Sequence, residues 1–326
     1  MTNERTRREF LKTAAATSSA AVLGSLASPI LAAKAKTATR PADAMPKRVL
    51  GKTGMKISVL SFGGGSQFKK NKDGAWEPLL ERAIELGINY FDTHMDYGTE
   101  QRFGEILPKH RKKIYIVTKF DARDGDGAMK SFEGSLKRLK VDYVDALLVH
   151  NLGKEDDLKA FAKDTWKRMQ KLKEQGTARF IGFSSMRSAT ASKNFIEQLQ
   201  PDIALVAMNA TRYGGFAKLT LAPAVKNNVG VIAMKTVRGL VGRKGVKPID
   251  LLQYVLDQKG VASAVVGHYG MDILEANVKI VKELAQRKKM TPAAKKKLEA
   301  ACAPYANPHT LAWARPDYRD DGISYA

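Results

Sequence analysis

Cysteine is nearly absent from this chain: there is one, Cys302, in 326 residues. That excludes an intramolecular disulfide, a cysteine-rich zinc site and a self-contained iron–sulfur cluster. Histidine is also sparse, at five, and no metal site is assigned. Acidic residues are in deficit, 33 against 55 Lys and Arg, a net charge of +22. Nucleic acid is the partner such a charge suggests, but the basic residues are scattered and no finger, RRM or KH signature is present. The charge reads as solvated cationic surface and no nucleic-acid partner is expected. Hydrophobic residues make up 44% and charged residues 27%, a globular balance that excludes disorder of the whole chain.

One long stretch without charge stands out, residues 13–33, and it follows Arg7-Arg8-Glu9-Phe10-Leu11-Lys12. It is long enough to span a bilayer, yet it is mostly Ala, Ser, Thr and Gly, with few large aliphatics. Ala33-Lys34-Ala35 offers a small-x-small cleavage site. Residues 1–35 resemble a twin-arginine export signal. The resemblance implies export by the twin-arginine translocation machinery to the periplasm or cell envelope, with no stable membrane anchor after cleavage. Residues 36–46, with two prolines, read as a linker.

Beyond it the pattern alternates. Short continuous apolar runs predict strands over 57–62, 88–91, 114–117, 144–149, 180–183, 203–208, 231–234 and 264–266. Amphipathic spacing predicts helices over 76–86, 100–107, 129–139, 157–175, 191–199, 219–226, 248–258 and 272–284. Strands without polar alternation are buried on both faces, as in parallel sheets. Eight strand–helix units close into a (β/α)8 TIM barrel, here over 47–285, with a C-terminal extension over 286–326. An open doubly wound sheet wants Gly-x-Gly-x-x-Gly after its first strand, and Gly63-Gly64-Gly65 lacks that spacing. Residues 48–59, with Gly51 and Gly54, suit a hairpin plugging the barrel floor.

In such a barrel the chemistry belongs at the C-terminal ends of strands. Asp92, Lys119 and His150 each directly follow an apolar run, and Tyr97 lies in the loop after Asp92. A phenol has an ordinary pKa near 10, which a neighbouring ammonium lowers. A carboxylate keeps the ammonium charged, and an imidazole can bond a substrate oxygen. These four handle a proton on a carbonyl or alcohol oxygen. No side chain donates a hydride, so a nicotinamide cofactor is implied.

Phe91-Asp-Thr-His-Met-Asp-Tyr-Gly98, Thr118-Lys119, Val149-His150 and the opening Arg48-x-Leu50-Gly51-x-Thr53-Gly54 resemble the aldo-keto reductase superfamily. The resemblance implies Tyr97 as proton donor, Lys119 tuning it, Asp92 pairing with Lys119, and His150 orienting the substrate oxygen. It further implies NADP or NAD as cofactor. Ser184 and Asn209 would hold the nicotinamide amide, Met234 would pack on its ring, Gly267 and His268 would lie near the adenosine phosphate, and Asn277 near the adenine. Met234-Lys235 resembles a branch that often carries a C-terminal cysteine cluster, but Cys302 stands alone, so no iron–sulfur cluster is expected. Ile273 occupies the place where NADP-specific members carry arginine; Lys235, Arg238 and His268 could replace it. His94 and Trp313 are candidate substrate contacts. The expected activity is an NAD(P)-dependent oxidoreduction of a small carbonyl/alcohol pair. The alternative is a nicotinamide-nucleotide-binding sensor or interaction protein without efficient turnover.

Overall fold

The computed structural model describes residues 44–320; the export signal expected over 1–35 lies outside them. The first two strands, β1 (Lys47–Val49) and β2 (Lys56–Ser58), form an antiparallel hairpin. Eight parallel strands follow: β3 (Leu60–Gly63), β4 (Tyr90–Asp92), β5 (Tyr115–Phe120), β6 (Val144–Val149), β7 (Ala178–Ser185), β8 (Ile203–Ala207), β9 (Gly230–Met234) and β10 (Val261–Gly267). They pair in sequence order, and β10 pairs back onto β3 to close the barrel. This is the (β/α)8 barrel that the alternating pattern predicts.

Side chains along these strands divide by parity, because successive residues face opposite sides of a sheet. One set fills the interior: Tyr90, Val117, Ala146, Leu148, Ile203, Leu205 and Ile232, joined by Leu50, Met55 and Ile57 of the hairpin. The hairpin therefore plugs one end, as expected. The other set, including Phe62, Phe91, Leu147, Val149 and Phe183, packs outward under the helices.

Caps mark several helices. Asp124 accepts from the Gly127 amide to open Gly125–Leu139, and Ser188 accepts from the Ala191 amide to open Ala189–Leu199; each satisfies an amide with no partner inside its helix. Two expectations need correction. The run over 57–62 is not one strand: it breaks at Val59, whose amide bonds Pro46 O, so β2 belongs to the hairpin and β3 to the barrel. The helix expected over 157–175 widens by one residue per turn at Ala162–Trp166, between α-helical Leu158–Phe161 and Lys167–Gln175. There Thr165 Oγ1 donates 2.7 Å to Arg123 O, tying this turn to the loop that follows β5.

The C-terminal segment adds a helix, Pro292–Cys302, and then lays Leu311, Trp313 and Tyr318 into the outer core. Among the described residues no helix is long and apolar enough to cross a membrane.

Candidate active site

The same parity builds the site. Asp92 stands two residues after interior Tyr90, Lys119 two after Val117, His150 two after Leu148, and Met234 two after Ile232. Each therefore continues an inward-facing row onto the C-terminal rim. Registers place these ends side by side: Gly63 opposite Asp92, Lys119 opposite Leu148, Ala207 opposite Met234. Tyr97 arrives on a short turn, Met95–Tyr97, which Gly98 ends in the left-handed region at φ 67°.

Lys119 is 1% exposed, and Nζ donates 2.7 Å to Asp92 Oδ2 and 2.7 Å to Thr93 O. The ammonium lies 5.1 Å from the centre of the Tyr97 ring. A lowered phenol pKa was the sequence expectation, and it needs correction. Burial first, then the charges of Asp320 and Asp92, push the Tyr97 phenol well above its ordinary range. The Lys119 charge is already committed to Asp92 and Thr93, so carboxylates and desolvation prevail. Tyr97 is thus a protonated phenol. Burial raises the Asp92 carboxyl, opposed by Lys119; its Oδ1 is buried with no partner among the described residues.

His150 Nδ1 lies 2.8 Å from Asp121 Oδ1, and His94 Nε2 lies 2.8 Å from Asp121 Oδ2, the latter out of hydrogen-bond alignment. The two imidazoles pack at 4.0 Å between centroids, and each meets the Tyr97 ring edge-on, at 6.0 Å for His150 and 5.2 Å for His94. Asp121 is a residue that the sequence reading missed. Parity would have found it, since it stands two places beyond Lys119. Burial, with His94 second, lowers His150 to about 3. Burial alone would raise Asp121, but the His150 hydrogen bond and the His94 contact outweigh it and hold that carboxyl well below the carboxylate range.

Over these groups opens a cavity of about 400 Å³. Asp92, Tyr97, Lys119 and His150 line it together with Ser184, Met234, Lys235, Arg238, Gly267 and Asn277. Residues far apart in sequence thus converge as expected, with three exceptions. Asn209 does not line the cavity: its amide donates to Lys235 O at 3.1 Å and its carbonyl accepts from Thr211 N and Oγ1, so it shapes the loop instead of facing a ligand. His268 is fully buried against Phe62, 5.0 Å between rings, and burial lowers it to about 3; a neutral core imidazole is no phosphate ligand. Trp313 is 2% exposed and packs edge-on against Tyr213 at 5.7 Å, where it anchors the tail. His94 lines an adjoining cavity of about 350 Å³, with Asp96 and Asp121.

Lys235 and Arg238 both meet Asp320 from the C-terminal tail. Lys235 forms an ion pair with it. Arg238 Nη1 lies 3.2 Å from Asp320 Oδ1, 2.5 Å from Tyr318 Oη and 2.8 Å from Ser66 Oγ. Lys235 takes φ 59°, an uncommon backbone state for a side-chain-bearing residue that clusters at ligand clamps. The next residue, Thr236, lines the cavity with a buried Oγ1 that has no partner among the described residues. Two cations and an orphaned hydroxyl on one loop fit the phosphates of a dinucleotide, in a cavity that Met234 and Asn277 also line.

Comparison with known proteins agrees with this fold. L-galactose dehydrogenase of Arabidopsis thaliana is 30% identical over 283 residues, covering 73% of this chain and 88% of that protein. An uncharacterised oxidoreductase of Bacillus subtilis is 28% identical over 264 residues, covering 76% and 80%. A solved Pseudomonas aeruginosa structure assigned to the aldo-keto reductases superposes with a TM-score of 0.65 at 27% identity, covering 75% of this chain and 98% of that one. Residues 59–294 match the Aldo/keto reductase family, and with its barrel closed and its rim so furnished the chain belongs to that family and is an oxidoreductase.

Proposed function

We propose that this protein is an exported NAD(P)-dependent oxidoreductase that interconverts a small carbonyl compound and its alcohol. The observation that carries the reading is the buried group of Tyr97, Lys119 and Asp92, with Lys119 Nζ 2.7 Å from Asp92 Oδ2 and 5.1 Å from the Tyr97 ring. A nicotinamide dinucleotide, when bound, supplies or accepts the hydride. Lys235, Arg238 and Thr236 would hold its phosphates, Ser184 its amide end, Met234 its ring, and Gly267 and Asn277 its adenosine end.

In the reductive direction Tyr97 gives its phenolic proton to the carbonyl oxygen, and in the oxidative direction its phenolate takes the proton back. The raised phenol pKa keeps the donor loaded at neutral pH. Lys119, held by Asp92 and Thr93, stabilises the phenolate that appears once the proton has left; charge stabilisation of this kind in a dry site is a large catalytic contribution. His150 borders the same space and orients the substrate. The first 35 residues support export, since paired arginines precede an uncharged, weakly apolar stretch.

The test is a panel of aldehydes, ketones and alcohols assayed with each nicotinamide cofactor, followed at the absorbance of the reduced form. Tight dinucleotide binding without turnover of any member would reject the enzyme reading in favour of a sensor.

A further inference from the structure

We infer that His94, Asp121 and His150 form a site for one divalent transition-metal ion of the zinc type, on the barrel rim beside the proton-handling group of Tyr97, Lys119 and Asp92. The inference stands on the placement of these three side chains and does not need the carbonyl/alcohol reading.

Three neighbouring strands bring the ligands together. β4, β5 and β6 pair in that order. Each sends an inward-facing row past its C-terminal end: Tyr90, Asp92 and His94; Val117, Lys119 and Asp121; Leu148 and His150. Alternate residues share a face, and the outermost members of the three rows meet over one side of the barrel mouth. They are distant in sequence, so no spacing along the chain shows them. Their ligand atoms lie within 4.8 Å of one another.

One carboxylate oxygen faces each ring. His150 Nδ1 lies 2.8 Å from Asp121 Oδ1, a hydrogen bond, and His94 Nε2 lies 2.8 Å from Oδ2. The second contact is out of alignment. His94 is 1% exposed, and its buried Nε2 has no hydrogen-bond partner among the described residues. A buried polar atom left without a partner is costly. An ion between the carboxylate and the two rings, 4.0 Å apart between centroids, would give it one. Loading moves each ring hydrogen to the outer nitrogen. At His94 the bond given up is a long one, 3.3 Å, which Nδ1 accepts from the Asp96 amide.

Two imidazoles and a carboxylate are donors that zinc takes, at about 2.0–2.2 Å; magnesium and calcium prefer oxygen alone. Three protein ligands leave a fourth position for water or a small oxygen ligand. It would open on the cavity of about 350 Å³ that all three residues line with Asp96. The frame is already set. Arg123 donates to Asp121 O at 2.7 Å and to His150 O at 2.9 Å. Two cations close by are each committed to a carboxylate, Arg123 to Asp156 and Lys119 to Asp92.

The experiment titrates the untagged, chelator-stripped protein with Co²⁺, followed by its visible d–d bands, with Zn²⁺ as competitor and Mg²⁺ as control. One Co²⁺ per chain should bind with micromolar or tighter affinity, displaced by Zn²⁺ and not by Mg²⁺. His94→Gln and Asp121→Asn should each weaken Co²⁺ binding by more than the about 10–100-fold that losing a group behind a ligand costs. His110→Gln, which removes the imidazole paired with Glu81, should change nothing. Zn²⁺ should raise the melting temperature of wild type and leave that of both site variants where it is. Circular dichroism without metal reports whether the variants fold. Should Asp121→Asn fail to fold, His94→Gln decides, since it leaves the Asp121–His150 bond in place. Affinity weaker than millimolar in wild type, or Co²⁺ binding that His94→Gln leaves unchanged, overturns the inference. No turnover is needed, so a failed reductase reading would leave this result standing.

Discussion

At the scale of single residues, the phenol and the ammonium divide the work of one proton. Tyr97 is loaded because burial and the carboxylates of Asp320 and Asp92 disfavour its anion. A donor so reluctant needs a charge beside it in the transition state, and Lys119 is the cation placed there, 5.1 Å from the ring. Tyr97→Phe keeps the ring and removes the proton, so turnover should fall by about 1,000-fold, within the range usual for loss of a general acid. Dinucleotide affinity should stay within a few-fold of wild type. Lys119→Met should inactivate as well, and it should also strand Asp92 in a buried site without its ion pair, a change that destabilises by roughly 3–5 kcal/mol. Single-turnover hydride transfer, dinucleotide titration and thermal melting separate these effects; Tyr97→Phe turning over near the wild-type rate would remove it as the donor.

Elements decide what these residues can reach, and here the tail matters as much as the strands. Asp320 lies between Lys235 and Arg238, the cations best placed for phosphates. Those cations and Tyr318 hold its carboxyl far below the usual range although burial opposes them. A carboxylate in that position competes with a phosphate for the same donors. Asp320→Asn should therefore tighten dinucleotide binding by about tenfold, or about 1.4 kcal/mol, and should ease the Tyr97 phenol downward by removing the second-largest cause of its rise. Fluorescence titration of the reduced dinucleotide checks the first, and unchanged or weaker binding would show that Asp320 does not compete. The two cations were legible beforehand, but their contact with Asp320 was not. Strands and helices could be read because their periods repeat, and Asp92, Lys119 and His150 because each ends such a run. The contacts of a loop or tail have no period. Asn209 and His268 sit at the expected ends of β8 and β10, but one turned to its own loop and the other into the core, a choice made by Thr211 and Phe62 and not by position. Asp121 lay within reach of the parity argument that places Lys119.

For the molecule as a whole, the proposed address and pH tolerance belong together, since a protein exported to the envelope would meet outside acidity. Replacing Arg7 and Arg8 by Lys keeps the charge and loses the pair; export through a receptor-read signal should then stop, leaving uncleaved protein in the cytoplasm by fractionation and N-terminal sequencing. Normal export of the double variant would assign these residues to a general secretory signal. Stability against acid is set deeper, by His268. Its imidazole is fully buried with neither ring nitrogen partnered among the described residues, and burial brings it down to about 3 from an ordinary 6.5. The folded pKa lies below the unfolded one, so between those values the unfolded chain binds the extra proton. Stability is complete above about pH 6.5 and declines as pH falls toward 3. By linkage one such group costs about 3 kcal/mol at pH 4 relative to neutrality, and His150, also lowered to about 3, adds a loss of the same sign. His268→Leu replaces the ring by an apolar side chain of similar volume beside Phe62 and removes the group that must stay neutral. The variant should lose roughly half of the fall in melting temperature that wild type suffers between pH 7 and pH 4, while melting close to wild type at pH 7. Parallel melting curves across that range are the measurement; identical pH slopes for the two proteins would mean that the His268 imidazole is not the group whose protonation opens the fold.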